Sequence, residues 1–327
     1  MTPILIDTDP GIDDAVAIMF ALKAGLDVKG VTAVSGNLQA DRTSINALKV
    51  LELMGAAHIP VARGNQTPLV RPYPKDPFSH GDDGLAGTCL PEPTTPLDPR
   101  SAPELIVELA EQYAGELVVL ALGPLTNLAL ALRKDPDLVG RIAHLYLIGG
   151  AYGLNEYAYR RATGDNPVSE WNVYVDPEAA QEVFDSGLPI TALGLEVVTH
   201  PAMELRDHDL ERLRRSTRPE ARFLLDVTAF VRRRGFASYC GLIDSLTVAA
   251  ALDPSIVTTQ RHHVAVETTG TVTLGQTVID VREHFRWEHL PQLDIAAAAD
   301  HDRMLTMLID ALTSDVDTTL AATPAPR

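Results

Sequence analysis

The chain has 327 residues, 46% hydrophobic and 22% charged, with Lys+Arg 27 against Asp+Glu 44 and a formal net charge of −17. That composition suits an ordinary globular protein, long enough for one large α/β domain or two modest ones. The acidic balance excludes a nucleic-acid partner, because a phosphate backbone needs a basic face, and the runs RRLRRS and VRRRG read as solvated helix faces.

Cys89 and Cys240 lie far apart in sequence and form neither a zinc-type pair nor a disulfide framework. No apolar run reaches membrane-spanning length and the N-terminus carries no signal-type core, so a cytoplasmic protein without a membrane partner is expected.

ILI at 4–6 is short, apolar and β-prone, and predicts a buried strand. DDAVAIMFALKAG then predicts a helix, acidic at its start and ending at Gly25. VKGVTAV predicts a strand and ADRTSINALKVLELMG an amphipathic helix. The alternation continues with APELIVELAEQYAG, ELVVLAL, TNLALALRK, IAHLYLIGG, DPEAAQEVFDSG and PITALGL, in turn helix, strand, helix, strand, helix and strand. Repeated strand–helix–strand units are right-handed, and they imply an α/β protein with a mostly parallel, Rossmann-like open sheet flanked by helices.

Residues 67–100 are rich in Pro, Gly and Asp and too long for a simple connection, so they predict a functional loop. A second irregular stretch follows at 151–172, and IVTTQRHHVAVETTGTVTLGQTVIDV predicts antiparallel strands appended to the parallel core. No repeat or linker is evident. A single domain over 1–313 with a flexible tail at 314–327 is expected.

The stretch that demands chemistry is DTDPGIDD, with Asp7, Asp9, Asp13 and Asp14 around a Pro10–Gly11 turn. In open α/β sheets ligands bind beyond the carboxyl ends of the strands, which is where these acids fall. A helix N-terminus offsets about 1 kcal/mol of their repulsion at most, too little for four converging acids. A bound cation is the natural remedy, and oxygen-only ligands indicate Ca²⁺ or Mg²⁺. An EF-hand does not fit, because its twelfth-position Glu would be Ile18. The strand-plus-DxD start of haloacid dehalogenase-like phosphatases is a competing pattern, with Asp7 as nucleophile, but Gly11 stands where their loop has Thr or Val.

DTDPGIDDAVAI resembles the signature of the nucleoside hydrolase family (inosine-uridine-preferring type). The likeness continues through VSGN at 34–37, HGDDGL at 80–85, ALGPLTNLALAL at 121–132, IGGAY at 148–152, EWNVYVDPEAA at 170–180, IDSLTVA at 243–249 and GTVTLGQTVID at 270–280. It implies a Ca²⁺-dependent enzyme that splits ribonucleosides into ribose and free base, through activated water and an oxocarbenium-like transition state. It also implies a homodimer or homotetramer.

Residue by residue, it implies metal ligation by Asp9, Asp14, the Thr126 carbonyl and Asp244, with Asp9 also the general base. Asp13, Asn37 and Asn172 match groups that grip the 2′- and 3′-hydroxyls, and Glu170 the one for the 5′-hydroxyl. Asp7 is expected to brace the turn. Ile243 stands where many members carry a histidine that assists the departing base, and His80 matches another histidine near the base. His80 can therefore supply a proton or only steady its loop. A nucleoside-binding relative with little turnover is the reading that Ile243 motivates.

Overall fold

In the computed structural model, which describes residues 1–74 and 79–314, β1 (Pro3–Thr8) is buried at every position. Strands covered on both faces read as continuous apolar runs, which is why ILI shows no polar alternation. Ile4 and Ile6 join one hydrophobic cluster and Leu5 the other, as the two-residue period of a strand requires. The sheet thus divides the interior into two layers. α1 (Ile12–Lys23) is buried from Ile12 to Leu22. A helix so enclosed is a core element, and its weak amphipathicity in sequence follows from that.

β2 (Asp27–Ala33), α2 (Ala40–Leu53) and β3 (Val61–Arg63) extend the sheet to one side of β1. After the long irregular segment come α3 (Ala102–Gln112), β4 (Leu117–Ala121), α4 (Thr126–Lys134) and β5 (Ile142–Ile148), which extend it to the other. Short helices α5 (Tyr157–Arg160) and α6 (Trp171–Val175) interrupt the second irregular stretch, before α7 (Pro177–Asp185), β6 (Ile190–Leu193) and α8 (Leu195–Val198). Then α9 (Asp207–Arg215), α10 (Pro219–Arg233) and α11 (Ser245–Leu252) follow with no strand between them. β7 (Val257–Val266), β8 (Thr277–Ile279), β9 (Gln292–Ala299) and α12 (His301–Thr313) complete the described chain. Residues 315–327, nearly all of the expected tail, lie outside the described residues.

The nine-stranded sheet has the order β3-β2-β1-β4-β5-β6-β9-β7-β8. Neighbours are parallel from β3 across to β9, and β7 is antiparallel to both β9 and β8. The expected antiparallel strands are β7 and β8, at one edge of the same sheet. β9 returns parallel beside β6, and only β7 and β8 close the edge in the antiparallel sense.

The chain leaves β1 towards β2 on one side and crosses to β4 on the other, so the order reverses between β1 and β4. That switch point opens a crevice at the carboxyl ends of the two strands. The ladder continues into it, with Val34 N donating to Thr8 O at 2.9 Å and Leu122 N to Asp7 O at 2.7 Å. The loops after β1, β2 and β4 are thereby locked side by side.

Phe20 on α1 is fully buried. Phe20→Ala is expected to cost about 3–5 kcal/mol of stability. It should appear as a lower urea midpoint with an unchanged slope.

Candidate active site

The turn after β1 is stitched by one carboxylate. Asp14, three residues into the α1 start, accepts from Gly11 N (3.0 Å), Asp9 N (3.2 Å) and Thr8 Oγ1 (2.5 Å). Acidic groups there also gain from the helix dipole. Asn37 reaches in from the loop after β2. Its N donates to Asp9 Oδ2 (2.6 Å) and its Nδ2 to Asp14 Oδ2 (3.1 Å) and Asp9 O (3.3 Å).

Asp9 Oδ1, in contrast, is buried with no hydrogen-bond partner. The Asp9 carboxylate is hemmed by two glycines. A Cβ at Gly36 would stand 2.0 Å from Oδ2, and one at Gly123 2.5 Å from Oδ1. VSGN and LGPL carry glycine at these points because no side chain fits beside the acid.

Asp7 lies beneath the site. Thr32 Oγ1 (2.6 Å) and Asn127 Nδ2 (2.8 Å) both donate to its Oδ1, and Asn127 Nδ2 also reaches Ala33 O (3.2 Å). Asp7 thus ties β1 to β2 and α4. It is wholly buried, and both of these donors hold one oxygen of its carboxylate in a bracing role.

Asp13, Asp14 and Asp244 each offer an oxygen, and those oxygens lie within 4.8 Å of one another. Asp244 arrives from the start of α11, more than two hundred residues downstream. Burial raises Asp244 well above the ordinary carboxylate range, reinforced by the charges of Asp13, Asp14, Asp9 and Glu170. Burial, then Asp14, raises Asp9 in the same direction.

Among the described residues no Lys or Arg pairs with Asp9, Asp14 or Asp244. An oxygen-only, uncompensated acidic cluster with an orphaned carboxylate oxygen beside it fits a hard divalent cation. Asp13 stands in this trio beside the expected Asp14 and Asp244, and Asp9 is joined to Asp14 through the same turn.

For Thr126 the expectation concerned its backbone carbonyl, and the structure gives the place of its side chain. Thr126 donates its hydroxyl to Asp176 Oδ2 (2.6 Å), begins α4 and does not line the cavity. The carbonyl that the β4 end presents at the cavity wall belongs to Leu122, and it accepts from Asn172 Nδ2 at 2.9 Å.

Asn172 also donates to Ile148 O (3.2 Å), which commits its amide hydrogens to the backbone and leaves Oδ1 for a ligand. Glu170 caps α6, accepting from Asn172 N (2.9 Å), Val173 N (3.1 Å) and Gly150 N (3.1 Å). Burial nevertheless pushes Glu170 up to about 7. Asp13, Asn37, Glu170 and Asn172 all line one cavity of about 770 Å³. A pocket of that size accepts a small molecule of nucleoside dimensions.

His80 also lines it, and its Nδ1 accepts the amide hydrogen of Ile12 at 3.1 Å. That bond places the ring proton on Nε2, with Nδ1 3.6 Å from Asp13 Oδ1. Giving up the Nε2 proton would leave an imidazolate, so this arrangement does not favour His80 as a proton source. Ile243, Tyr239 and Cys240 line the same cavity. Burial pushes the Cys240 thiol up to about 11, which removes it as a nucleophile at neutral pH. Trp171 and Arg161 are lining residues that sequence reading passed over as site groups. For Arg161 no local signal existed, since RR in a polar stretch reads as solvated charge.

Asp7 and Glu170 are both raised to about 7, chiefly by burial. Folded chains hold these protons where unfolded chains have lost them, so this contribution is complete below the ordinary carboxylate range and disappears as pH climbs through about 7. In chelator, the melting temperature is expected to fall between about pH 5 and about pH 8, and a divalent cation should restore it; a flat or rising trend would contradict the assignment. Gly123→Ala, which crowds Asp9, is expected to weaken cation binding on the order of ten- to a hundredfold by calorimetry.

Residues 4–306 match the inosine-uridine preferring nucleoside hydrolase family. The pyrimidine-specific ribonucleoside hydrolase RihA of Shigella boydii serotype 4 (strain Sb227) is 37% identical over 317 residues, covering 95% of this chain and 98% of that protein. A plant nucleoside hydrolase, PpNRh1, superposes with a TM-score of 0.83 at 31% identity, over 96% of this chain and 99% of that one. A purine-preferring ribonucleoside hydrolase from Gardnerella vaginalis gives 0.83 at 29%, over 95% and 98%. With the fold, the acidic cluster and the cavity in place, the chain belongs to the inosine-uridine preferring nucleoside hydrolase family and is a hydrolase.

Proposed function

We propose that this chain hydrolyses the N-glycosidic bond of pyrimidine ribonucleosides to ribose and free base, with Ca²⁺ as its cation. The carrying observation is the set of buried acids from distant segments in the wall of a nucleoside-sized cavity. The pyrimidine preference is supported by the 37% identity to a pyrimidine-specific enzyme.

Asp14 and Asp244 would hold the cation, with Asp9 and Asp13 beside them and the Thr126 carbonyl as the backbone donor. Bound there, the cation would polarise the attacking water.

Asp9 takes the water proton through Oδ1, the carboxylate oxygen that nothing else occupies. Asp13 and the Oδ1 atoms of Asn37 and Asn172 accept the ribose hydroxyls, since both Nδ2 groups are committed elsewhere. Glu170, held by three backbone N–H groups, meets the 5′-hydroxyl. These fixed contacts align the sugar before water attacks, which removes much of the entropic part of the barrier. His80 Nε2–H donates a hydrogen bond at the base side of the sugar.

Ribose release from uridine, measured as reducing sugar, is expected to fall at least on the order of a thousandfold in Asp9→Asn. The same reaction should stop in chelator and return on adding Ca²⁺. Unchanged turnover in Asp9→Asn would overturn the assignment. Tight nucleoside binding by the wild type without base release would identify a binding protein instead.

A further inference from the structure

The cavity is lined by groups of opposite charge. Carboxylates stand in its wall, and so does an arginine. Arg160 and Arg161 are adjacent in sequence but differ in fate. Arg160 also borders the cavity, but it is exposed and pairs with Glu156 at 2.5 Å. Arg161 lines the cavity, donating Nη1 to Thr199 O at 2.5 Å, with its guanidinium carbon 4.1 Å from the centroid of the Tyr239 ring. Among the described residues no carboxylate lies within ion-pair distance of it, in a chain of net charge −17.

A guanidinium stays charged at any working pH, and it gives up no proton. Fixed by one hydrogen bond and one aromatic face, Arg161 keeps its other N–H donors for whatever occupies the cavity.

The surrounding groups offer the departing base only weak acids. Residue 243 is Ile, and His80 carries its single proton on Nε2. Tyr239 and Cys240 are held protonated by burial. A base that draws no proton from these groups leaves as an anion, and Arg161 is the cavity-lining cation with no carboxylate beside it.

We propose that Arg161 donates N–H bonds to the far carbonyl oxygen of the base and offsets the negative charge that builds there, so that uracil leaves in preference to cytosine. This rests on the nucleoside hydrolysis proposed above. The electron pair of the C1′–N1 bond passes to N1 and is shared with the ring carbonyl oxygens. Water oxygen bonds to C1′, its proton goes to Asp9, and N1 collects a proton from solvent after release. Uracil presents a carbonyl at its edge far from N1. Cytosine presents an amino group there, a donor set against donors. Tyr239 supports the guanidinium plane from behind.

The test uses uridine, cytidine and 4-nitrophenyl β-D-ribofuranoside, whose leaving group departs unaided. Wild type should favour uridine over cytidine. Arg161→Gln is expected to lower kcat for uridine on the order of a hundredfold, with a much smaller loss for cytidine and little for the nitrophenyl riboside. Arg161→Lys should recover part of the uridine rate, since it returns the charge without the planar fork. An unchanged uridine-to-cytidine ratio in Arg161→Gln, or an equal loss on the nitrophenyl riboside, would overturn the proposal. A wild type that splits none of the three overturns the underlying hydrolase reading as well.

Discussion

Mutual repulsion among buried carboxylates is the constraint on which the rest of this structure depends. Asp9 and Asp244 are almost fully enclosed, and burial with neighbouring charge makes their ionised forms costly. The fold answers locally with donors. Backbone N–H groups of Asp9, Gly11 and Asn37, the Thr8 hydroxyl and the Asn37 amide are all spent on this one turn. Those donors hold Asp14 fully and Asp9 on one side only. The remaining deficit, at Asp9 Oδ1 and among the facing oxygens of Asp13, Asp14 and Asp244, is what calls for a cation.

Such a cluster survives only where the scaffold over-determines it. β1 is central and α1 is buried along its length, so the turn between them is clamped at both ends. Asp7, bonded to Thr32 and Asn127, fastens the strand end to its neighbours from below. The switch in strand order between β1 and β4 then opens space directly above the acids. Rigid strands and a helix start build the sugar end, which suits groups that must hold fixed positions.

The loop-built part of the cavity is made differently. It draws on the irregular stretch before α6 and on the segment that joins α10 to α11, and both are free of strand pairing. Loops leave more freedom in the choice of side chain, although the second of these also carries Asp244. An isoleucine at 243 and an arginine stacked on Tyr239 are the form that freedom takes in this chain.

Local physics made much of this legible in the sequence. Apolar runs, the acidic helix start and the Pro10–Gly11 turn placed β1, α1 and the acids at a strand's carboxyl end, because turn chemistry and periodicity act over a few residues. The family motifs, spread in order along the chain, carried Asp14, Asp244, Asn37, Glu170 and Asn172 to one cavity. The helices from α9 to α11 and the parallel return of β9 were not read, since their partners are far away in sequence.

Finer assignments were decided by side-chain direction. The Thr126 hydroxyl turns to Asp176, and Asp13 joins Asp14 and Asp244. His80 spends Nδ1 on Ile12. Sequence by itself determined which residue types gather and at which end of the sheet, because those follow from short-range patterning. Only the tertiary structure decided which oxygen is left unpartnered and which arginine turns inward, because both depend on packing between segments far apart in the chain.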